Sequence, residues 1–356
     1  MRKAVILCVL AIFLALPVCA TEEVSIVDTS PIYEVPESAR EYLPEEGTSL
    51  PEGLGALFWQ VLSKIQPSLT EAVGTCAAVL CAVLLCTVFQ TPELSTRRNT
   101  ADLVGTLGIT ALILGRTASQ IGLCKATILE LSEYGKLLLP VMASAMAASG
   151  APTTSSALYF GTAVFDGILM AAVTGLLVPM VYAHIMASFA NSAVGHEFLQ
   201  KIRELIAWAC NWGLKLLLSV FTGYMSLTGV LSGTADAAAV KATKTTISTA
   251  VPVIGNILAG ASDLVVLSAS AVKSAAGVYG LLAVLAICAG PFCQIGVQYL
   301  MLKLTWALCG ITGNKRLTEL VGNFAQAMGL LLAMVGVCCL MLLISLACFM
   351  KGAGYT

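Results

Sequence analysis

Charge is scarce in this chain. Of its 356 residues 11% are Asp, Glu, Lys or Arg, against 58% hydrophobic, where soluble domains carry about a quarter charged. That shortage excludes an ordinary water-soluble globule and points to an all-α, polytopic membrane protein. Histidine is rarer still, with only His184 and His196. His196-Glu197-Phe-Leu-Gln200 has Gln where a zinc helix of the H-E-x-x-H type needs its second ligand. No C-x-x-C pair occurs, and the thirteen cysteines fall almost entirely within apolar runs, where cysteine acts as a small hydrophobe. Neither a metal nor any other cofactor is expected. No G-x-x-x-x-G-K-[ST] loop is present, since Gly313-Asn-Lys-Arg316 lacks its context, so the chain has no nucleotide-hydrolysing site of its own. No G-x-S-x-G elbow is present either. With no catalytic constellation the chain reads as a non-enzyme, and with no extended basic tract it has no nucleic-acid partner.

What is there begins with a signal-like segment over 1–20. Arg2 and Lys3 precede an apolar run from Ala4 to Leu16, and Pro17-Val-Cys-Ala20 offers a small-residue cleavage site. Residues 21–55 form an acidic, proline-rich arm with Pro31, Pro36, Pro44 and Pro51, a composition that disfavours both helix and bilayer insertion. The arm is expected outside the cytoplasm, without a core of its own. Residues 56–351 are the membrane domain, and 352–356 a short tail. Over 54–69, Leu57, Phe58, Val61, Leu62 and Ile65 follow a helical period. Two readings fit, an amphipathic helix on the membrane surface or the lead-in of the next span.

A bilayer crossing needs about 20 mostly apolar residues. Leu69–Phe89, Leu103–Leu123, Leu158–Phe189, Leu205–Leu231, Ala276–Cys309 and Leu317–Phe349 meet that need. Between the second and third, residues 124–136 mix Lys and Glu and read as a solvated turn. Residues 137–148 are too short for a span and read as a re-entrant or broken helix. Residues 252–268 are expected to dip or lie flat, and Gly290-Pro291 to break its helix. An eight-helix count is the alternative. With Thr21 outside, six crossings place Arg97 and Arg98, Lys201 and Arg203, and Lys315 and Arg316 in the cytoplasm, as the positive-inside rule demands.

The candidate functional residues are the polar ones that this setting makes costly. Asp166, Lys215 and Lys303 fall within apolar runs, where an unpaired charge costs several kcal/mol. Lys215 and Lys303 are both near enough to the cytoplasmic side to snorkel there. Between the fourth and fifth spans, residues 232–275 hold Asp236, Lys241 and Lys244, then Pro252 and Gly255. This segment suits a polar passage or a partner surface. Gly229-x-x-x-Gly233 lets two helix backbones approach closely, for internal packing or for contact with another membrane subunit.

Around this central segment the chain resembles the stage III sporulation protein AE family of endospore-forming bacteria. The resemblance rests on Gly223-Tyr-Met-x-x-x-Gly229, Gly233-Thr-Ala-Asp236-x-x-Ala-Val240-Lys241-Ala-Thr-Lys244 and Pro252-Val-Ile-Gly255. Leu281-Leu-Ala-x-Leu-Ala-Ile287 and Gln298-Tyr-Leu-x-Leu-Lys303-Leu continue it. It implies a non-enzymatic subunit of a secretion-like channel in the mother-cell membrane around the forespore. Its partners would be other membrane and intermembrane-space subunits, the lipid bilayer and a separate cytoplasmic ATPase. A stand-alone small-molecule transporter, built on the broken helices, is the competing reading.

Overall fold

The computed structural model describes residues 34–40, 42, 50–88, 95–250 and 255–351, with 38, 50, 95–102, 229–250, 255–275 and 351 by backbone alone. The signal-like segment and most of the acidic arm lie outside the described residues. All secondary structure among the described residues is helical. A single turn, α1 (Glu37–Arg40), precedes α2 (Leu50–Val88), α3 (Ser95–Ala148), α4 (Pro152–Ala172) and α5 (Val178–Val194). Helices α6 (Glu197–Ala250), α7 (Gly255–Gly310) and α8 (Lys315–Lys351) complete the bundle. A π-helical turn over Val173–Leu177 joins α4 to α5, so the pair forms one rod.

Among the described residues six helices are long and apolar enough to cross a membrane, between 32 and 46 residues each. At 1.5 Å per residue the shortest is about 48 Å, well beyond a hydrocarbon core of about 30 Å. That excess length corrects several expectations. Residues 124–136 are no turn and 137–148 no re-entrant segment, for α3 runs through both, and through Pro140, to Ala148. A charged stretch persists on a spanning helix because the helix is longer than the apolar slab. Its core face keeps a heptad-like rhythm, Ile121, Cys124, Ile128, Leu131, Leu138, Met142 and Ala145, all buried, while Lys125, Glu133 and Lys136 face outward. Helix α7 likewise continues through Gly290-Pro291, and the described part of 252–268, from Gly255 on, is its first turns. Residues 54–69 are the lead-in of α2, continuous with the span through Pro67. Among the described residues the count is six, and the continuity of α3 through 137–148 and of α7 through Gly290-Pro291 takes from the transporter reading two of the broken helices it rested on.

The remaining proline shows how such interruptions are absorbed. Pro179 cannot donate to the carbonyl of Gly175 and its ring crowds that carbonyl. The helix is wider there, with the N–H of Val178 reaching back to Val173. The three tight corners each turn on a left-handed glycine, Gly150 (φ 95°), Gly195 (φ 75°) and Gly313 (φ 79°).

Gly195 lies against Arg316, and Gly105 packs against Cys86 and Leu317, so the α5–α6 and α7–α8 corners, the end of α2 and the beginning of α3 share one end of the bundle. The α3–α4 corner lies at the other, where Gly277 meets Met350 and Met142, and Gly53 meets Leu282. Helix α8 is the most buried of the six and packs most extensively on its neighbour α7. The α7–α8 pairing has a regular register. Phe292, Tyr299 and Trp306, seven apart on α7, rest on Gly336, Gly329 and Gly322, seven apart on α8. Each aromatic ring lies where a Cβ would stand at 2.7–3.5 Å. The bare glycine backbone lets the rings lie close, the knob-into-hole logic of a coiled coil.

Part of the arm borrows this core. Val35 and Ala39 are buried, Tyr42 lies over Gly290, and the Lys64 ammonium sits 4.5 Å from the centre of the Tyr42 ring.

Candidate functional site

The register of α7 on α8 leaves a cleft between them and α6, of about 530 Å³. Tyr299 and Trp306 form one wall and Gly322 and Gly329 the facing backbone, with Leu330 at the inner end. Five polar side chains reach into it. These are Asn211 from α6, Lys303 from α7, and Glu319, Asn323 and Gln326 from α8. In a chain with so few charges, one cation and one anion at one cleft is a concentration. Lys303 lies over the Trp306 ring, 4.8 Å from its centre. Neither Lys303 nor Glu319 has an ion-pair partner among the described residues. The Asn211 amide N–H2 donates to the Ala207 carbonyl at 2.9 Å, leaving its oxygen for the cleft. Asn323 is 7% exposed and its Nδ2 has no partner among the described residues.

Lys303 was legible in the sequence as an intramembrane charge, and it stands two turns from the α7–α8 corner, within snorkelling reach. The rest of the cleft was not. Glu319, Asn323 and Gln326 read as an amphipathic opening of the last helix, and only the 3.6-residue period of α8 brings them to one face.

Asp166 is placed elsewhere. Half-buried on α4, it accepts a hydrogen bond at 2.7 Å from the Ser132 hydroxyl of α3, beside an enclosed cavity of about 10 Å³. That volume suits about one water. The arrangement tethers α4 to α3, and Thr162 extends it by donating to Ser345 of α8 at 3.3 Å. Lys215 stands exposed on the outer face of α6, about 27 Å along the helix from Glu197. That is too far to snorkel to the corner end. It shares its face with Trp208 and Trp212, whose rings stack at 5.9 Å.

Gly229, Gly233, Asp236, Lys241 and Lys244 lie on the backbone of α6, and Gly255 starts α7. Their side chains, and Pro252 altogether, are outside the described residues.

One buried cluster was missed. The sequence puts Arg203 in a hydrophilic loop, yet it is 8% exposed in the second turn of α6, and the turn between α5 and α6 is only Gly195 and His196. Its carbonyl lies 3.4 Å from Nδ1 of the fully buried His184 on α5, whose own carbonyl accepts from Ser188 at 2.6 Å. Arg203 reaches Glu204 at 3.8 Å through Nη2, while Nε and Nη1 have no partner among the described residues. The spacing of Arg203 with Ala207, Cys210 and Leu214, all buried, was the available signal. Among the described residues no group of three His, Cys, Asp or Glu side chains is placed to hold a metal ion.

The family model described as stage III sporulation protein AE matches residues 53–353. The chain belongs to this family. Stage III sporulation protein AE of Bacillus subtilis (strain 168) is 19% identical over 335 residues, covering 90% of this chain and 82% of that protein. No solved structure matches. The stage III sporulation protein AE match takes in all six long helices, the cleft, Asp166 and the α6–α7 connection, and leaves out residues 1–52.

Proposed function

We propose that this chain is a non-enzymatic membrane subunit of the mother-cell to forespore channel complex required for endospore formation. The observation that carries the proposal is the stage III sporulation protein AE match over the whole six-helix body, residues 53–353. The bundle is suited to such a role. Its helices overrun a bilayer, and its outer faces carry exposed Trp59, Phe160, Trp208 and Trp212, which fit lipid or neighbouring subunits. The corner end holds Lys201, Lys315 and Arg316, so it faces the cytoplasm and the separate ATPase. The arm and residues 232–275 then lie on the intermembrane side, where soluble partners assemble. The whole sits in the mother-cell membrane around the forespore.

In this reading Asp236, Lys241 and Lys244, followed by Pro252 and Gly255, line the passage or dock on partners, and Gly229 and Gly233 pack against a neighbouring helix. The test replaces Lys241 and Lys244 with Ala in the chromosomal copy and scores heat-resistant spores, with membrane-fraction immunoblots to confirm insertion. A collapse of spore yield at normal protein level is expected. Wild-type yield removes these lysines from the mechanism. Single cysteines from Thr234 to Ser274, in a background lacking the native cysteines, should label from the intermembrane side. Labelling from the cytoplasm alone inverts the orientation.

A further inference from the structure

We propose that the cleft between α6, α7 and α8 binds the headgroup of a zwitterionic phospholipid bearing a primary ammonium, phosphatidylethanolamine. The argument starts from the two opposite charges. Lys303 and Glu319 both face the cleft without an ion-pair partner among the described residues. At headgroup depth an exposed charge stays hydrated, and it is open to a charge-assisted hydrogen bond from a ligand group of opposite sign. An anionic lipid would neutralise Lys303 and set its phosphate against Glu319. A metal cation would do the reverse. A ligand carrying both signs satisfies both, and a phosphate with an ammonium on a two-carbon tether is that ligand in a bilayer.

Two of the other polar groups divide the same way. The amide of Asn323 lines the cleft with its Nδ2 buried and unpartnered among the described residues, so turning the amide over presents that donor to a phosphate oxygen, alongside the Lys303 ammonium. The oxygen of Asn211, whose amide nitrogen is already committed to Ala207, is an acceptor for ammonium, alongside the Glu319 carboxylate. The volume of about 530 Å³ accommodates a headgroup with its glycerol. A lipid is favoured over a soluble zwitterion by what borders the cleft. Leu300 and Leu304, next in sequence to the cleft residues Tyr299 and Lys303 on α7, are 64% and 53% exposed, an apolar track beside the cleft for acyl chains. Lys303 and Glu319 lie two turns and one turn from the corner end, the depth at which headgroups sit. This site is independent of the channel role.

The experiment uses the full chain, purified in detergent and stripped of lipid, titrated with phosphatidylethanolamine and phosphatidylglycerol of identical chains. Binding is read by native mass spectrometry and by the shift in thermal midpoint. Phosphatidylethanolamine should bind about tenfold more tightly than phosphatidylglycerol, a difference of about 1.4 kcal/mol. K303Q and E319Q should each lose about that factor. Both side chains are exposed, so the lipid-free midpoints of the variants should match wild type and report on folding separately. Equal affinity for the two lipids overturns the proposal, as does undiminished binding in both variants. Displacement of the lipid by chain-free phosphoethanolamine at equal concentration also overturns it, since the ligand is then a soluble zwitterion.

Discussion

Two glycines six residues apart on α4 should respond to the same substitution with opposite signs. A methyl on Gly161 would fall within the Tyr224 ring of α6, while nothing lies within 4 Å of one on Gly167. The ring has little freedom to yield. Its hydroxyl donates to the Ala157 carbonyl at 3.0 Å, and its faces meet Phe165 at 5.8 Å between centroids. Overpacking of this kind costs about 1–3 kcal/mol. Displacing the ring also breaks the Tyr224 hydrogen bond, about 0.5–1.5 kcal/mol. Against this, Gly→Ala in a helix interior gains up to about 1 kcal/mol. Gly161→Ala should therefore lose about 0.5–3.5 kcal/mol and Gly167→Ala gain about 0.5–1. The assay is reversible unfolding of the purified protein in mixed micelles, followed by near-UV circular dichroism. Gly161→Ala combined with Tyr224→Ala should show a coupling energy of opposite sign to the Gly161→Ala loss, because the clash has been removed. The packing of α4 on α6 is wrong if Gly161→Ala is as stable as Gly167→Ala.

The α7–α8 register makes a parallel prediction. Gly322→Ala, whose methyl would stand 2.7 Å from Trp306, should lose up to about 2 kcal/mol, whereas Gly213→Ala, with open space around it, should not, by the same unfolding assay. Ser132→Ala removes the hydroxyl that Asp166 accepts from, and should cost about 1–3 kcal/mol; Ser132→Thr, which keeps the hydroxyl, should lose less. Arg203→Met replaces a guanidinium with two unpartnered nitrogens by an apolar chain of similar length, and should hold or raise the unfolding midpoint. A fall of several degrees would mean that the guanidinium is neutralised by a group from outside this chain.

Much of the architecture was legible because hydropathy is a sum. Over about 20 residues a few polar side chains do not change its sign, so six spans and the basic corners emerged near their observed places. The breaks did not. Lys125, Glu130, Glu133 and Lys136 lower the sum enough to suggest water, although Glu and Lys are good helix formers and Ile128, Leu131 and Leu138 keep one face apolar. Reading α3 by period instead of by average would have carried it through. Gly290-Pro291 misled in the same direction, since packed membrane helices tolerate proline that an exposed helix would not.

The candidate charges divide along the same line. That Asp166, Lys215 and Lys303 need an explanation follows from composition alone, because each is an ion in an apolar run. Which explanation applies is a matter of neighbours. Ser132 meets Asp166 across 34 positions, and Glu319 joins Lys303 at the cleft across an antiparallel corner. The heptads of Phe292, Tyr299 and Trp306 and of Gly322, Gly329 and Gly336 are both written in the chain, yet each is ordinary by itself. They acquire meaning when the Gly313 corner sets α7 and α8 antiparallel, so that the aromatics of one helix meet the bare backbone of the other. Hydropathy along the chain established an all-helical membrane bundle of six to eight crossings, since burial in lipid depends on each segment's own apolar area. The tertiary structure alone decided where the cleft lies and which charges share it, since those depend on the register between segments.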